Sequence, residues 1–364
     1  MADFILEIGI EEMPARFVPR LGIDIKDIFS TLLDESMIDS ESVEAFATPR
    51  RLTVFVKKMA AMQRQVVEEV SGPPARIAYD ADGNPTKALE GFAKSQGIAL
   101  EDIYTLETDK GDYLAAKKSV GGGETISILP ELCATAIKKL SFPKKMKWGN
   151  LDFTFGRPLR WMLCLFGSDV VEFEMAGLPS GRKTYGHRVM GAGPWDVASA
   201  DDYFSIIKDK CSVVISPDER GEFVRKEGDK LASELNGSVV WKDSLLQEVS
   251  NLVELPLPII GNFDESFLEL PKEVLLTSME SHQKCFGIQK EDGELLPHFL
   301  CTLNLVPKDL DLVRKGWEKV LKARLEDGRF FWKNDLGTEF SVWLEKLENV
   351  VFLGPLGSMG DKSR

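Results

Sequence analysis

Apolar and polar positions follow two distinct periods along the chain. The run DFILEIGI (residues 3–10) is apolar and β-branched with Gly9 near its end, which predicts a buried strand. EEMPARFVPRLGIDIKDIFSTLLDES follows with helical spacing, and Pro14 is tolerable in a first turn. SVEAFAT and RLTVFVKKM predict two strands joined across Thr48, Pro49 and Arg50. A long connection then carries turn signals in SGPPARIAYDADGNP. TKALEGFAKSQGI predicts an amphipathic helix closed by Gly97, IYTLETDKGDYLAAKKSV a hairpin around residues 109–112, and GGGETISILPELCATAIKKL a glycine-rich loop feeding a helix.

Strand patterns dominate next, in LDFTF, RWMLCLFG, VVEFEMAGL and CSVVIS. Helices are predicted over PDERGEFVRKEGDKLASELNG, DSLLQEVSNLVE and PKEVLLTSMESHQKCF. The prolines of LPLPIIGNF exclude a central strand there, while CFGIQ and HFLCTLN read as strands. From Leu310 the texture is helical, in LVRKGWEKVLKARLEDGRFFWKND and TEFSVWLEKLENVVF. The pattern predicts an α+β, multidomain chain of mixed sheets with packed helices, ending in a helical segment. Its expected divisions are a strand-helix-strand-strand unit over 1–65, a central α+β region over 66–308, and a helical segment over 309–364.

Composition narrows the class. The 364 residues exceed the usual size of one core. No apolar run approaches the roughly 20 residues that cross a bilayer. The N-terminal apolar stretch contains two acids and lacks a basic lead, so it is not expected to be a secretory signal. Five scattered cysteines without CxxC spacing argue against a disulfide framework and against zinc, and imply a reduced, cytoplasmic protein.

Charge is distributed unevenly. The formal charge is -13, from 58 acidic and 45 basic residues, yet basic residues gather in islands. Arg50, Arg51, Lys57, Lys58 and Arg64 lie in an acid-free stretch over 45–67. Lys144, Lys145, Lys147, Arg157 and Arg160 lie beside Trp148 and Trp161 with Asp152 as the sole acid. Arg182, Lys183 and Arg188 flank His187. Such islands become one footprint for a polyanion if the fold gathers them; taken singly, each also reads as an ordinary solvated face.

Candidate catalytic groups are sparse. GGGE (121–124) precedes a helix, but no phosphate-loop pattern accompanies it, so a hairpin exit is the plainer reading. His282 and Cys285 are close in sequence without an orienting acid, so a polar helix end is favoured over a nucleophile. The three histidines show no HxxxH pairing. Glu11 and Glu12 suit the first turn of a helix through its dipole.

Nine stretches, in order along the chain, carry a family resemblance: LEIGIEEMPA, ATPRRL, FPKKMKWG, FGRPLRW, TYGHRV, LLQEVSNLVELPLPIIGNFDESFLELPKEVL, SMESHQKCF, VLKARLEDGRFFWKND and LGSMGDK. Together they resemble the β subunit of the bacterial tetrameric glycyl-tRNA synthetases. The resemblance implies an α2β2 ligase that joins glycine to its tRNA using ATP. The α subunit carries the class II catalytic core with ATP and Mg2+, and β contributes mainly tRNA binding. It further implies no cofactor on this chain, no membrane association, and a central region similar to the B3/B4 domain of phenylalanyl-tRNA synthetase β subunits. Family β chains continue through an HD-type domain to an anticodon-binding domain, so the chain is expected to be the N-terminal portion of a longer protein, inactive alone.

The expected RNA contacts are Arg50, Arg51, Lys144, Lys145, Lys147, Arg157, Arg160, Arg182, His187, Arg188, His282, Gln283 and Lys284. No catalytic or metal-binding residue is expected. A pure α/β assembly module without tRNA contact and an editing-type deacylase domain remain as alternatives. Trp317 stands after Gly316 where the family usually has Asn, and Cys285 follows Lys284 where an aromatic is frequent.

Overall fold

Strand β1 (Ala2–Ile10) is buried on both faces, which explains its near-continuous apolar sequence. In the computed structural model, which describes residues 1–80, 83–109 and 111–364, β1 is followed by a single 3-10 turn over Ala15–Phe17 and helix α1 (Val18–Glu35). The helix begins later than its sequence pattern suggests. The segment before it is tied to strand ends instead, Glu11 N donating to Pro158 O and Met13 N to Pro49 O. Glu11 and Glu12 therefore do not sit in a helical first turn. Strands β2 (Ser42–Thr48) and β3 (Arg51–Met59) form the expected hairpin, and β3 pairs antiparallel with β1.

The chain then leaves this sheet. Strands β4 (Gln65–Pro74), β5 (Ile103–Thr108) and β6 (Gly111–Gly121) form a three-stranded sheet covered by α2 (Lys87–Gln96) around Leu89, Phe92, Leu114 and Ala116. The hairpin turn expected at 109–112 includes residue 110, outside the described residues, as do residues 81 and 82 of the long connection. Gly121 closes β6 at a positive φ, where a Cβ would stand 2.1 Å from Arg64 O. That is a hairpin exit, as the sequence favoured.

Helix α3 (Thr125–Lys139) returns the chain to the first sheet. A small hairpin of β7 (Met146–Lys147) and β8 (Thr154–Phe155) leads into β9 (Leu159–Phe166), which pairs antiparallel with the free edge of β1. Strands β10 (Asp169–Val170), β11 (Glu174–Met175) and β12 (Leu178–Gly181) complete the sheet, β12 running parallel to β9. Its order is β11-β12-β9-β1-β3-β2, with β10 also on β9. The sheet draws β1–β3 from before the expected edge at 65/66 and β9–β12 from after it.

The two faces of the sheet are covered separately. Phe4, Leu6, Ile8, Leu52, Val54, Met162 and Cys164 pack under α1 and α3. From α1 come Leu21, Ile25, Phe29 and Leu32, at helical spacing, each worth about 1.5–3 kcal/mol when fully buried. On the other face Ile5, Leu163 and Leu165 meet Tyr203 and Ile207 of α4 (Tyr203–Asp209), together with Cys211, Val213 and Ile215. Two further strands, β13 (Lys183–Thr184) and β14 (Trp195–Asp196), pair beside this face. CSVVIS is not a strand. Its carbonyls at Val214 and Ile215 accept from the Arg220 guanidinium and so are withdrawn from any ladder.

The second half has its own sheet. Helix α5 (Pro217–Ser233) precedes β15 (Ser238–Val239), and α6 (Asp243–Ser250) precedes β16 (Leu257–Asn262). After α7 (Lys272–Thr277) and a π-helical turn over Ser278–His282 come β17 (Phe286–Gln289) and β18 (Leu295–Leu303). The antiparallel order β15-β17-β18-β16 places proline-bearing β16 at an edge. Val224, Leu245 and Val249 cover one face. Phe267, Met279 and two leucines of α8 (Leu310–Leu336), Leu321 and Leu325, cover the other. An edge at 308/309 would split that second core. Trp317 packs against it and Cys285 lies within it, so both family departures serve packing.

Beyond α8 lie α9 (Phe340–Lys346), β19 (Val351–Leu353), β20 (Gly357–Ser358) and α10 (Met359–Ser363). Val351 and Phe352, expected to continue a helix, lie in β19 instead, where Val351 pairs with Ser358 of β20. No described helix is long and apolar enough to cross a membrane.

Candidate nucleic-acid interface

The register of the first sheet gathers a polar site on its α4 face. Glu7 lies opposite Thr53 and Leu163, and Gly9 opposite Arg51 and Trp161. Gly9 is required there because a Cβ would stand 1.9 Å from the Trp161 indole. Arg51 uses its guanidinium fully: Nη1 donates to Glu7 Oε1 at 2.8 Å, Nε to Glu254 Oε1 at 3.1 Å, and Nη2 to Tyr185 O at 2.9 Å. All three charged side chains are buried. Arg51 therefore cannot meet a phosphate; it joins the first sheet to the loop before β16. Arg50 is mostly buried beside it, donating to Gly186 O at 3.0 Å with Glu254 Oε2 at 3.9 Å.

The two buried carboxylates differ. Burial raises the pKa of Glu7 despite the pull of Arg51. Burial opposes ionisation of Glu254 too, but Arg51, the Thr48 hydroxyl at 2.6 Å and Arg50 outweigh it and lower its pKa. Burial works against the Arg51 charge, yet both carboxylates outweigh it and hold the guanidinium protonated. Next to this cluster, Arg220 donates to the carbonyls of Ala47, Val214, Ile215 and Ser250. Sequence reasoning missed Glu7, Glu254, Arg220 and Tyr203. The available signals were an acid inside an apolar strand and another inside VELPLP.

Above the buried cluster, a second one reaches solvent. Arg160 Nε lies 3.3 Å from Glu11 Oε1, and Arg188 pairs with the other Glu11 oxygen and lies 3.7 Å from Glu12. Arg157 donates from Nε to Glu12 O at 2.9 Å. Arg157 and Arg160 of FGRPLRW and Arg188 of TYGHRV are thus brought together around Glu11 and Glu12. Their charge, however, is shared with Glu11 and Glu12.

The remaining expected contacts divide clearly. Lys144, Lys145 and Lys147 are exposed around the β7–β8 hairpin, two residues before Arg157. Lys147 is paired with Asp152 at 2.9 Å, and Trp148 Nε1 donates to Phe155 O at 3.1 Å. His187 is buried; its Nδ1 accepts from the backbone of Val189 and Met190, which places any ring proton on Nε2. Arg182 donates to Ser168, Val197 and Ala198 carbonyls and so holds loops together. His282, Gln283 and Lys284 lie apart, between α7 and β17, and Lys284 pairs with Glu248 of α6. Cys285 is buried, its Sγ donating to Gln283 O at 3.3 Å, and burial pushes its thiol up, so it is no nucleophile.

Residues 4–364 match the family model described as glycyl-tRNA synthetase beta subunit. The chain belongs to the glycyl-tRNA synthetase β-subunit family. It is 53% identical over 364 residues to the glycine–tRNA ligase beta subunit of Nitratidesulfovibrio vulgaris strain Miyazaki F, covering 100% of this chain and 52% of that relative. Identity is 54% to the glycine–tRNA ligase beta subunit of Oleidesulfovibrio alaskensis and 46% to that of Lawsonia intracellularis, with the same coverage on both sides. The chain spans about half the length of the curated relatives it matches. The motifs ATPRRL, TYGHRV and VELPLP bring Arg51, the Tyr185 carbonyl and Glu254 to the buried cluster, whereas FGRPLRW and TYGHRV supply Arg157, Arg160 and Arg188 to the surface one.

Proposed function

We propose that this chain supplies tRNA-binding and assembly surfaces to the β subunit of glycine–tRNA ligase, in a cytoplasmic α2β2 enzyme whose α subunit uses ATP and Mg2+ to attach glycine. The observation that carries the tRNA reading is the exposed Lys144–Lys145–Lys147 hairpin running directly into the Arg157–Arg160–Arg188 surface. Lysines act on phosphate as point charges and position RNA without reading its sequence. Changing all three lysines to Gln should weaken glycine and non-glycine tRNAs by similar factors. It should also flatten the log–log salt slope by roughly 2–3 units, at about 0.7–0.9 per lost contact. Unchanged affinity and slope, with the fold intact by circular dichroism, would remove the lysines from the interface.

A second observation favours an added assembly role. Exposed apolar side chains crowd the segment 330–356, among them Phe330, Phe331, Leu336, Leu344 and Val351, with Phe340 at 92% exposure. Patches of this kind mark contacts between proteins. Measuring the binding of purified α subunit and of tRNA separately, with Phe340→Asp as the variant, divides the roles: loss of α binding with unchanged tRNA binding assigns this face to assembly.

A further inference from the structure

Two guanidinium groups on the surface converge on one carboxylate. Arg160 approaches Glu11 from β9 and Arg188 approaches it from the loop after β13. Both arginines remain open to solvent, at 59% and 48% side-chain exposure, and Glu11 lies between them at 35%. The setting beneath is rigid. Glu11 N is tied to Pro158 O at 3.0 Å and Ile10 N to Arg50 O at 2.9 Å. The rings of Trp161, next to Arg160, and of Tyr185, three residues before Arg188, pack at a tilt of 51° with centroids 5.2 Å apart. Arg50 adds a further positive field, being an electrostatic neighbour of both Arg188 and Glu11. A pair of forked donors over a fixed floor is the geometry that recognises a tetrahedral oxyanion as readily as a carboxylate.

We infer that Glu11 is a built-in substitute for an RNA backbone phosphate: it occupies Arg160 and Arg188 while no RNA is bound and yields them to a phosphate of the tRNA backbone. The inference rests on the tRNA-binding reading and adds where the phosphate lands and what it must displace. Exposed ion pairs of this kind are weak, so exchange of one anion for another is cheap. A lone monoanion gains nothing over the tethered carboxylate. A polymer that is also held by the Lys144–Lys147 hairpin, continuous in sequence with Arg157, brings its phosphate at high local concentration and wins. Glu11 thereby suppresses binding of stray anions to an acidic protein while leaving an extended RNA able to dock.

The test measures tRNA affinity against salt concentration for wild type, Glu11→Gln, Arg160→Gln/Arg188→Gln and the combined triple variant. Glu291→Gln, an exposed acid in the turn between β17 and β18, controls for net charge. Glu11→Gln should tighten binding about three- to tenfold and steepen the salt slope by up to about one unit, since the freed arginines now release counterions. The arginine pair should weaken binding, and in that background Glu11→Gln should have no effect. Unchanged or weaker binding by Glu11→Gln with its fold intact overturns the inference, as does equal tightening by Glu291→Gln or tightening that survives loss of both arginines. If wild type binds tRNA through the hairpin lysines while Glu11→Gln behaves as wild type, this inference alone fails. If neither wild type nor Glu11→Gln binds tRNA, the tRNA-binding reading fails with it.

Discussion

Arg51 and Glu254 meet at 3.1 Å although 203 residues separate them, and neither side chain touches solvent. The pair joins the first residue of β3 in one sheet to the loop that enters the other. Removing one member leaves the other charged in a low-dielectric setting, which costs about 3–5 kcal/mol, whereas replacing the whole buried group with packed apolar residues is often neutral. Glu254→Gln should therefore lower stability by about 3–5 kcal/mol, read from the urea midpoint. The triple change Glu7→Leu, Arg51→Met, Glu254→Leu should cost less than Glu254→Gln alone. A triple variant that is the least stable of the set would show that the charges themselves hold the two halves together.

The two carboxylates should respond oppositely to pH. The pKa of Glu254 is lowered on folding, so its contribution is complete above the ordinary value of 4.5 and is lost as pH falls through its folded value. The pKa of Glu7 is raised, so its ionisation becomes costly as pH rises through its folded value, and its contribution is largest below 4.5. Glu254→Gln should remove part of the acid-induced loss of stability. Glu7→Gln should be milder at pH 7.5 than Glu254→Gln, and its cost should grow towards acid. Thermal melts from pH 4 to 8 check both signs, and parallel curves for the two variants would contradict the assignment.

Gly9→Ala should be among the most damaging single-methyl additions in the chain. The new Cβ would overlap the Trp161 ring, whose displacement also disturbs Tyr185 and the Arg51 contact to its carbonyl. Overpacking typically costs about 1–3 kcal/mol, and more where a ring cannot move. Gly91→Ala, in α2 with open space around its Cβ, is the control and should be neutral or slightly stabilising. Comparable melting points for the two variants would mean that Trp161 relocates freely.

Elements with a clean period were legible in the sequence. The β2–β3 hairpin, α5, α6 and the edge position of β16 follow from local patterns of apolar residues, prolines and caps. What local pattern does not encode is which distant strand completes a sheet, so β9 could not be assigned to β1 and a boundary was expected at 65. The same limit governed the arginines. Arg50 and Arg51 read as surface cations because their burial depends on Glu254, far along the chain. Arg160 and Arg188 read as free because the acids opposite them, Glu11 and Glu12, look like helix-start residues. The exposure of Lys144, Lys145 and Lys147 was legible because three closely spaced ammonium groups with one nearby acid are not buried together.

The lateness of β9 has a consequence for synthesis. Strand β1 acquires β3 within sixty residues and brings Glu7 to Arg51, but its other neighbour is made only at 159–166, and the second counter-ion of Arg51 only at 254. At about 5–20 residues per second, the ribosome delivers β9 roughly 7–30 s after β1. Throughout that interval the nascent chain carries an unpaired apolar strand edge and an arginine destined for burial with only one of its two carboxylate partners. Commitment to the native sheet is thus deferred until more than a third of the chain has emerged, so the opening segment is not an autonomous nucleus for its own sheet.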